Sequence, residues 1–294
     1  MNQRYKYTKK DDPKKRPPTS TAHQVRVPIF LPVNQVRSNT GGNVKTVNKE
    51  EWVYHSQHGV VTVRNHRLTQ EHKNIVEVIL THYKPIHIHS DGSWEFQFTL
   101  YDLQKNLQKK SKTNNSWIRT KLDELQGVQF IVEPDKGIPF RRIACSVLND
   151  HCISSENTGQ TGEYMYTATF NRHYMRFFDV DTHLHTEKLT DEIIALNDSA
   201  AQALVRYCLS HKSVNMKLNQ LLDNIGISTN FLPASTVTRT RRKILETKEQ
   251  FEAFGIEVSD EKPHLVSYKQ HSDVWFRTPG EYNQNLEIGS DTGN

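Results

Sequence analysis

The sequence predicts an α+β fold made of two tandem units of one design. Three observations predict it. The same order of elements occurs twice along the 294 residues. Each occurrence closes with short strands around a polar turn. Near the end of the second, a helix keeps its basic residues apart from its apolar stripe. In both, a helix is followed by a second helix, a polar turn, a third helix and a two-stranded hairpin. That order is the winged helix-turn-helix.

In the first unit Thr69 caps a helix whose apolar positions, Ile75, Val76, Ile79, Leu80 and Tyr83, recur at helical spacing. A hairpin follows, turning at Asp91-Gly92, a strong two-residue turn signal. The second helix is expected from Leu100 to about Gln108, with Tyr101 packed in the core. The turn KKSKTNNS leads to a third helix, Trp117 to Gln126, stopped by Gly127. The strands GVQFIV and PFRRIACSVL, around the turn at 134–137, are read as the wing. Tyr164 to Phe178 reads as a last strand and a packed connector.

The second unit opens at Asn197-Asp198-Ser199, with Ala200, Ala203, Leu204, Tyr207 and Cys208 on one helical face. Leu218, Leu221, Leu222 and Ile225 mark the second helix. The third is expected to be long, from Ala234 to about Phe254. The strand GIEVS, a polar loop DEKPHLVSYKQHSD and the strand VWFRT close the unit.

These readings divide the chain into a basic, disordered tail at 1–28, a first domain at 29–182, a second at 183–278 and a disordered tail at 279–294. The first twenty residues hold seven basic and two acidic residues, which equals the whole net charge of +5. A basic tail on a neutral body is either an arm attracted to phosphate or a solvated tail. Hydrophobic residues make up 35% of the chain, and no apolar run is long enough to span a membrane. The N-terminus lacks the apolar core of a secretory signal. Three cysteines without a CxxC pair fit a reduced, cytoplasmic protein.

On a helical wheel of the second unit's third helix, Val237, Thr240, Ile244, Lys248 and Phe251 fall to one side. Ser235, Thr236, Arg239, Arg242 and Lys243 fall on the other half. A helix that reads the major groove needs this separation, because one face packs while the other meets bases. Arg can donate two bonds to guanine, and Ser and Thr can bond bases or phosphates. In the first unit Asn115, Ser116 and Arg119, with Lys112 in the turn before them, are the corresponding candidates. Asp123 and Glu124 also point outward there and would repel phosphate. Lys136, Arg141 and Arg142 in one wing, and Lys262 and Lys269 in the other, are candidate phosphate contacts.

The layout resembles the theta-type plasmid replication initiators, Rep proteins with two winged helices. The resemblance runs from GVVTV and RLTQEHKNIVEVIL through WIRTKLDELQGVQF and FNRHYMRFF to ALNDSAAQALVRYCLSH and TVTRTRRKIL, roughly residues 59 to 278. It implies binding to origin direct repeats in double-stranded DNA, opening of adjacent AT-rich DNA, and recruitment of host initiator and helicase. It also implies dimerisation through the first winged helix and repression of the protein's own gene. It implies no cofactor, no metal and no catalytic residue.

A rival reading starts from His87-Ile88-His89, the histidine-apolar-histidine triplet of enzymes that nick DNA with a metal ion and a tyrosine, here Tyr101. A second triplet is His183-Leu184-His185. Across the Asp91-Gly92 turn, His87 and His89 are expected opposite Phe96 and Trp94, an aromatic setting that suits structural histidines. The other rival is a transcriptional repressor with no role in replication.

Overall fold

The computed structural model describes residues 18–32, 51–56, 59–108, 115–134, 141–157, 164–230 and 232–277. The chain begins with β1 (Ser20–Thr21) and α1 (Ala22–Arg26), followed by the pair β2 (Glu51–Ser56) and β3 (Gly59–Arg64). Next come α2 (Gln70–His82), the hairpin β4 (Pro85–Ile88) and β5 (Trp94–Thr99), then α3 (Leu100–Asn106) and α4 (Asn115–Gly127). Four strands follow: β6 (Gln129–Pro134), β7 (Ile143–Cys145), β8 (Leu148–Asn157) and β9 (Tyr164–Phe170). A connector holds α5 (Arg172–Val180), β10 (His183–His185) and α6 (Thr190–Ala195). The last part comprises α7 (Ser199–Leu209), β11 (Ser213–Lys217), α8 (Leu218–Asn224), α9 (Ala234–Glu246), a 3-10 helix at Lys248–Phe254, β12 (Ile256–Val258), β13 (Leu265–Lys269) and β14 (Trp275–Arg277). The fold is mixed α and β.

The repeat is visible in sheet topology. In the first unit, β5 follows α2 and pairs with β9, which pairs with β8. In the second, β11 follows α7 and pairs with β13, which pairs with β12. In both, the last strand inserts antiparallel between the first and second. Each unit has its own apolar core, one around Ile79, Phe96 and Phe130, the other around Leu204, Leu221 and Phe251.

The structure differs from the sequence reading in how the strands join into sheets. GVQFIV forms β6 and pairs with β7 from PFRRIACSVL, as the hairpin reading expects, but β6 also pairs with β3, and this hairpin belongs to a separate sheet of order β2-β3-β6-β7. The strands that join β5 are β9, from the stretch read as a last strand, and β8. In the second unit β13 lies inside the stretch read as polar loop, and VWFRT forms β14, which pairs with β10. The reason is common to both. Alternating apolar residues specify a strand and its buried face, not its partner. Within β13 only Val266 and Tyr268 point inward, so its pattern is short and its neighbours are polar.

Other boundaries shift for local reasons. The third helix of the second unit stops at Glu246 instead of running to Phe254. There Thr247 Oγ1 bonds back to the Lys243 carbonyl (2.9 Å) and accepts from Gln250 Nε2 (2.8 Å), competing with the helical ladder. The Asp91-Gly92 turn forms, with Gly92 at φ +88°. A bulge between Pro85 and His87 alters the predicted register, however. His87 then faces Glu95 and Ile88 faces Trp94. Tyr101 is not in the core: it is 58% exposed.

Residues 18–28, expected to belong to a tail without a core, are built in. Thr21 caps α1, and its backbone N–H donates to Gln24 Oε1 (3.1 Å). Ser20 and Thr21 pair with Leu184 and His183, while β14 pairs with the other edge of the same strand. The connector between the units is therefore the middle strand of a three-stranded sheet. The His23 backbone N–H donates to Asp181 Oδ2 (2.6 Å), fastening the same corner. Further along, the Leu31 N–H donates to the Leu68 carbonyl (2.8 Å) and Gln70 N–H to the Leu31 carbonyl (3.1 Å). The expected tail residues 1–17 and 279–294 lie outside the described residues.

The units meet through their first helices. All of α7 is buried, and α2 is buried at every position from His72 to Thr81. A helix covered on all sides needs partners for its polar groups. Here they supply one another. Arg206 on α7 donates to Glu77, to Gln70 Oε1 (2.7 Å) and to Asn74 Oδ1 (2.6 Å) on α2. Asn74 Nδ2 in turn donates to Gln202 Oε1 (3.2 Å). No helix among the described residues is long and apolar enough to cross a membrane.

Candidate nucleic-acid interface

Helix α9 starts where its sequence allows. Pro233 sits before it in an extended conformation, and its carbonyl receives the N–H groups of Thr236 and Val237. Ile244 is buried, with Val237 and Leu245 packed beside it on the second core. The opposite face exposes Ser235, Thr238, Arg239, Arg242 and Lys243. Thr236 is only half-exposed and flanks this face.

The cations on α9 differ in what holds them. Lys243 Nζ lies 2.7 Å from Asp198 Oδ2, so it is tied to the residue that caps α7. Arg242 pairs with Glu246 at 3.4 Å, one turn along the same exposed face. Arg239 makes no ion pair among the described residues and is exposed near the N-terminal half of the helix. Two positions escaped the sequence reading. Thr238 lies about 40° from Arg242 and about 60° from Ser235 on the wheel, so periodicity alone places it on this face. Arg241 is half-buried at the edge of the apolar stripe, beyond what a wheel resolves.

The wing candidates of the second unit are separated. Lys262 is exposed in the turn between β12 and β13, next to Asp260 and Glu261. Lys269 is exposed at the other end of β13, about 13 Å along the strand from Leu265. The structure does not bring these two lysines together.

In the first unit Asn115, Ser116 and Arg119 are exposed on one face of α4, opposite the buried Ile118, Leu122 and Leu125. The Arg119 guanidinium lies over the Tyr166 ring, 5.7 Å from its centroid, and so leans on β9. Of the two acids expected to face outward, only Asp123 does so, paired with His151 on β8 at 3.0 Å. Glu124 turns back. It accepts from His72 Nε2 (2.6 Å) and Lys121 Nζ (2.7 Å). Burial would raise the Glu124 carboxyl, but these two donors outweigh it and hold it at about 2. Burial also lowers His72, whose Nδ1 accepts from the Thr69 backbone N–H (2.9 Å). That bond assigns the neutral tautomer with its proton on Nε2, toward Glu124. Arg142 pairs with Glu133 at 3.3 Å, and Arg141 is exposed, both in the β2-β3-β6-β7 sheet region rather than beside β5. Lys112 and Lys136 lie outside the described residues.

The histidine triplets are brought to different surroundings. His87 and His89 stack edge-to-face at 4.4 Å, and His89 Nε2 lies 3.1 Å from Glu95 Oε2. His185 is buried against Trp275, its ring 3.6 Å away and nearly parallel. His183 donates through Nε2 to the Phe178 carbonyl, and burial lowers its imidazole to about 4. Among the described residues no group of three or more His, Cys, Asp or Glu side chains gathers in a way that could hold a metal ion. No family model matches this chain, and no curated protein matches it.

Proposed function

We propose that this protein is a sequence-specific double-stranded DNA-binding protein built of two winged-helix units. In this reading it initiates plasmid replication by binding direct repeats at an origin. The repeated topology supports it: in both units two strands that come after the third helix join an earlier strand in one sheet, the later of the two lying in the middle. The single observation that carries it is the exposed face of α9. Ser235, Thr238, Arg239 and Arg242 stand there on a helix whose other side is anchored in the core. Such a face can enter a major groove, with Arg reading guanine and hydroxyls reading bases or phosphates.

Helix α4 contributes less. Its face offers Asn115, Ser116 and Arg119, and Asp123 interrupts it. The second unit therefore carries most base recognition and the first mainly positions the protein. Opening of AT-rich DNA, recruitment of the host initiator and helicase, dimerisation through the first unit and autorepression belong to the same proposal.

Footprinting on the DNA flanking the gene tests it. Protection of tandem direct repeats, roughly 16–22 bp each as expected for two major-groove contacts about one turn apart, supports an initiator. Protection of one inverted repeat over the promoter supports a repressor instead. A plasmid without another origin, given the gene and its flanking repeats, must then replicate in a suitable host. Failure of that plasmid to replicate removes the initiator role.

A further inference from the structure

A cavity lies where the N-terminal segment meets both units. Gln24 and Phe30 line it from one side, Gln70 and Lys73 of α2 from another, and Arg206 of α7 from a third. It has room for one small occupant.

Its side chains Gln24, Lys73 and Arg206 bring donors that their neighbours do not fully take up. Lys73 is 2% exposed, and among the described residues its ammonium makes one hydrogen bond, to Ser20 Oγ at 2.7 Å. Glu77 stands farther off at 3.6 Å, and the Phe30 ring lies 5.4 Å away. Gln24 is also 2% exposed. Its Oε1 is occupied by Ser20 Oγ and the Thr21 N–H, whereas its Nε2 is buried with no acceptor among the described residues. Arg206 Nη1 donates to Gln70 Oε1 alone, leaving its second proton without an acceptor among the described residues.

The charges show the same surplus. Lys73 and Arg206 face a single carboxylate, Glu77. A water molecule would answer this poorly. It accepts two bonds and brings no charge, whereas Lys73 and Arg206 set two positive charges against the one carboxylate of Glu77. A doubly charged anion would exceed the surplus and lose more hydration on burial. An apolar wall of Val25, Val27 and Phe30 suits a weakly hydrated ion.

We propose that this cavity binds a small monovalent anion, chloride in ordinary solution, which accepts from Lys73, Gln24 and Arg206 and locks the N-terminal segment onto both units. Without such a counter-charge, burial pushes the Lys73 ammonium down to about 8.

The test uses the full chain. Crystals grown or soaked in sodium bromide should show an anomalous bromide peak in the cavity. At constant ionic strength, replacing gluconate by chloride should raise Tm by about 2–4 °C per tenfold of chloride above its Kd. Gln24→Glu keeps the acceptor for Ser20 and Thr21 and places a carboxylate where the anion would sit. That variant should lose both the bromide peak and the chloride response. Its Tm in gluconate should equal or exceed that of the parent protein in chloride. An empty cavity in bromide, equal parent Tm in the two salts, or an unchanged chloride response in Gln24→Glu overturns the proposal.

Discussion

Arg206 and Glu77 stand 129 positions apart and form a buried ion pair between the two units, with Nε 3.1 Å from Oε1 and Nη2 2.6 Å from Oε2. Their side chains are 5% and 4% exposed. Gln70, Asn74 and Lys73 gather around the same pair. The junction is polar yet buried, so its strength depends on every member being present.

Removing one member should therefore cost far more than a surface charge. Arg206→Ala leaves Glu77 buried without its main partner and should destabilise the protein by about 3–5 kcal/mol, read by urea unfolding. The double variant Arg206→Met, Glu77→Leu should regain part of this. It should not regain all, because Lys73 then loses its carboxylate and Gln70 Oε1 and Asn74 Oδ1 lose the guanidinium that donates to them. A loss below about 1 kcal/mol for Arg206→Ala would show that the pair is open to water.

The face of α9 ranks its own residues. Among the described residues Arg239 has no ion pair to break, whereas Arg242 must release Glu246 and Lys243 must release Asp198. Arg239→Ala should weaken binding to the specific site by about 1–3 kcal/mol while leaving unfolding unchanged. Arg242→Ala should cost less, and Lys243→Ala the least. Fluorescence anisotropy on specific and scrambled duplexes gives the comparison. Equal losses on both duplexes would make these residues phosphate contacts rather than readers of bases.

Stability should fall with acid in two windows. Burial lowers His72, and lowers His183 and His211 to about 4, against an ordinary value of 6.5. The unfolded chain therefore takes up these protons first, so the stability present above about pH 6.5 is lost as pH falls toward 4. Glu124, held at about 2 against an ordinary 4.5, adds a second loss below pH 4.5. The expected slope is up to about 1.4 kcal/mol per pH unit for each histidine. His183→Gln retains an N–H donor for the Phe178 carbonyl and should flatten the upper window. An unaltered profile in that variant would remove His183 from the account.

Tyr101 separates the binding reading from the nicking one. It is exposed at the start of α3, whereas Leu103 beside it is fully buried. Tyr101→Phe should leave stability within about 0.5 kcal/mol and DNA affinity unchanged. Leu103→Ala should cost about 2–5 kcal/mol. With Mg²⁺ or Mn²⁺ present, supercoiled DNA carrying the flanking repeats should stay intact. Nicking by the parent protein, abolished in Tyr101→Phe, would support the nicking reading instead.

The sequence by itself determined the longer helices α2, α4 and α7 and their buried faces. Ile75, Val76, Ile79 and Leu80 on α2, and Leu204, Tyr207 and Cys208 on α7, are buried as their spacing requires. Capping residues and the Asp91-Gly92 turn are likewise local, because they depend on neighbours within four positions. The separation of Arg239 and Arg242 from Ile244 on α9 was legible for the same reason. Tertiary structure decided everything that depends on a distant partner. It paired GVQFIV with β3 and VWFRT with β10, turned Glu124 inward to His72, and built Ser20 and Thr21 into a sheet with the connector. It also placed Arg206 against Glu77. Periodicity states which face of an element is buried, but it contains no term for what covers that face.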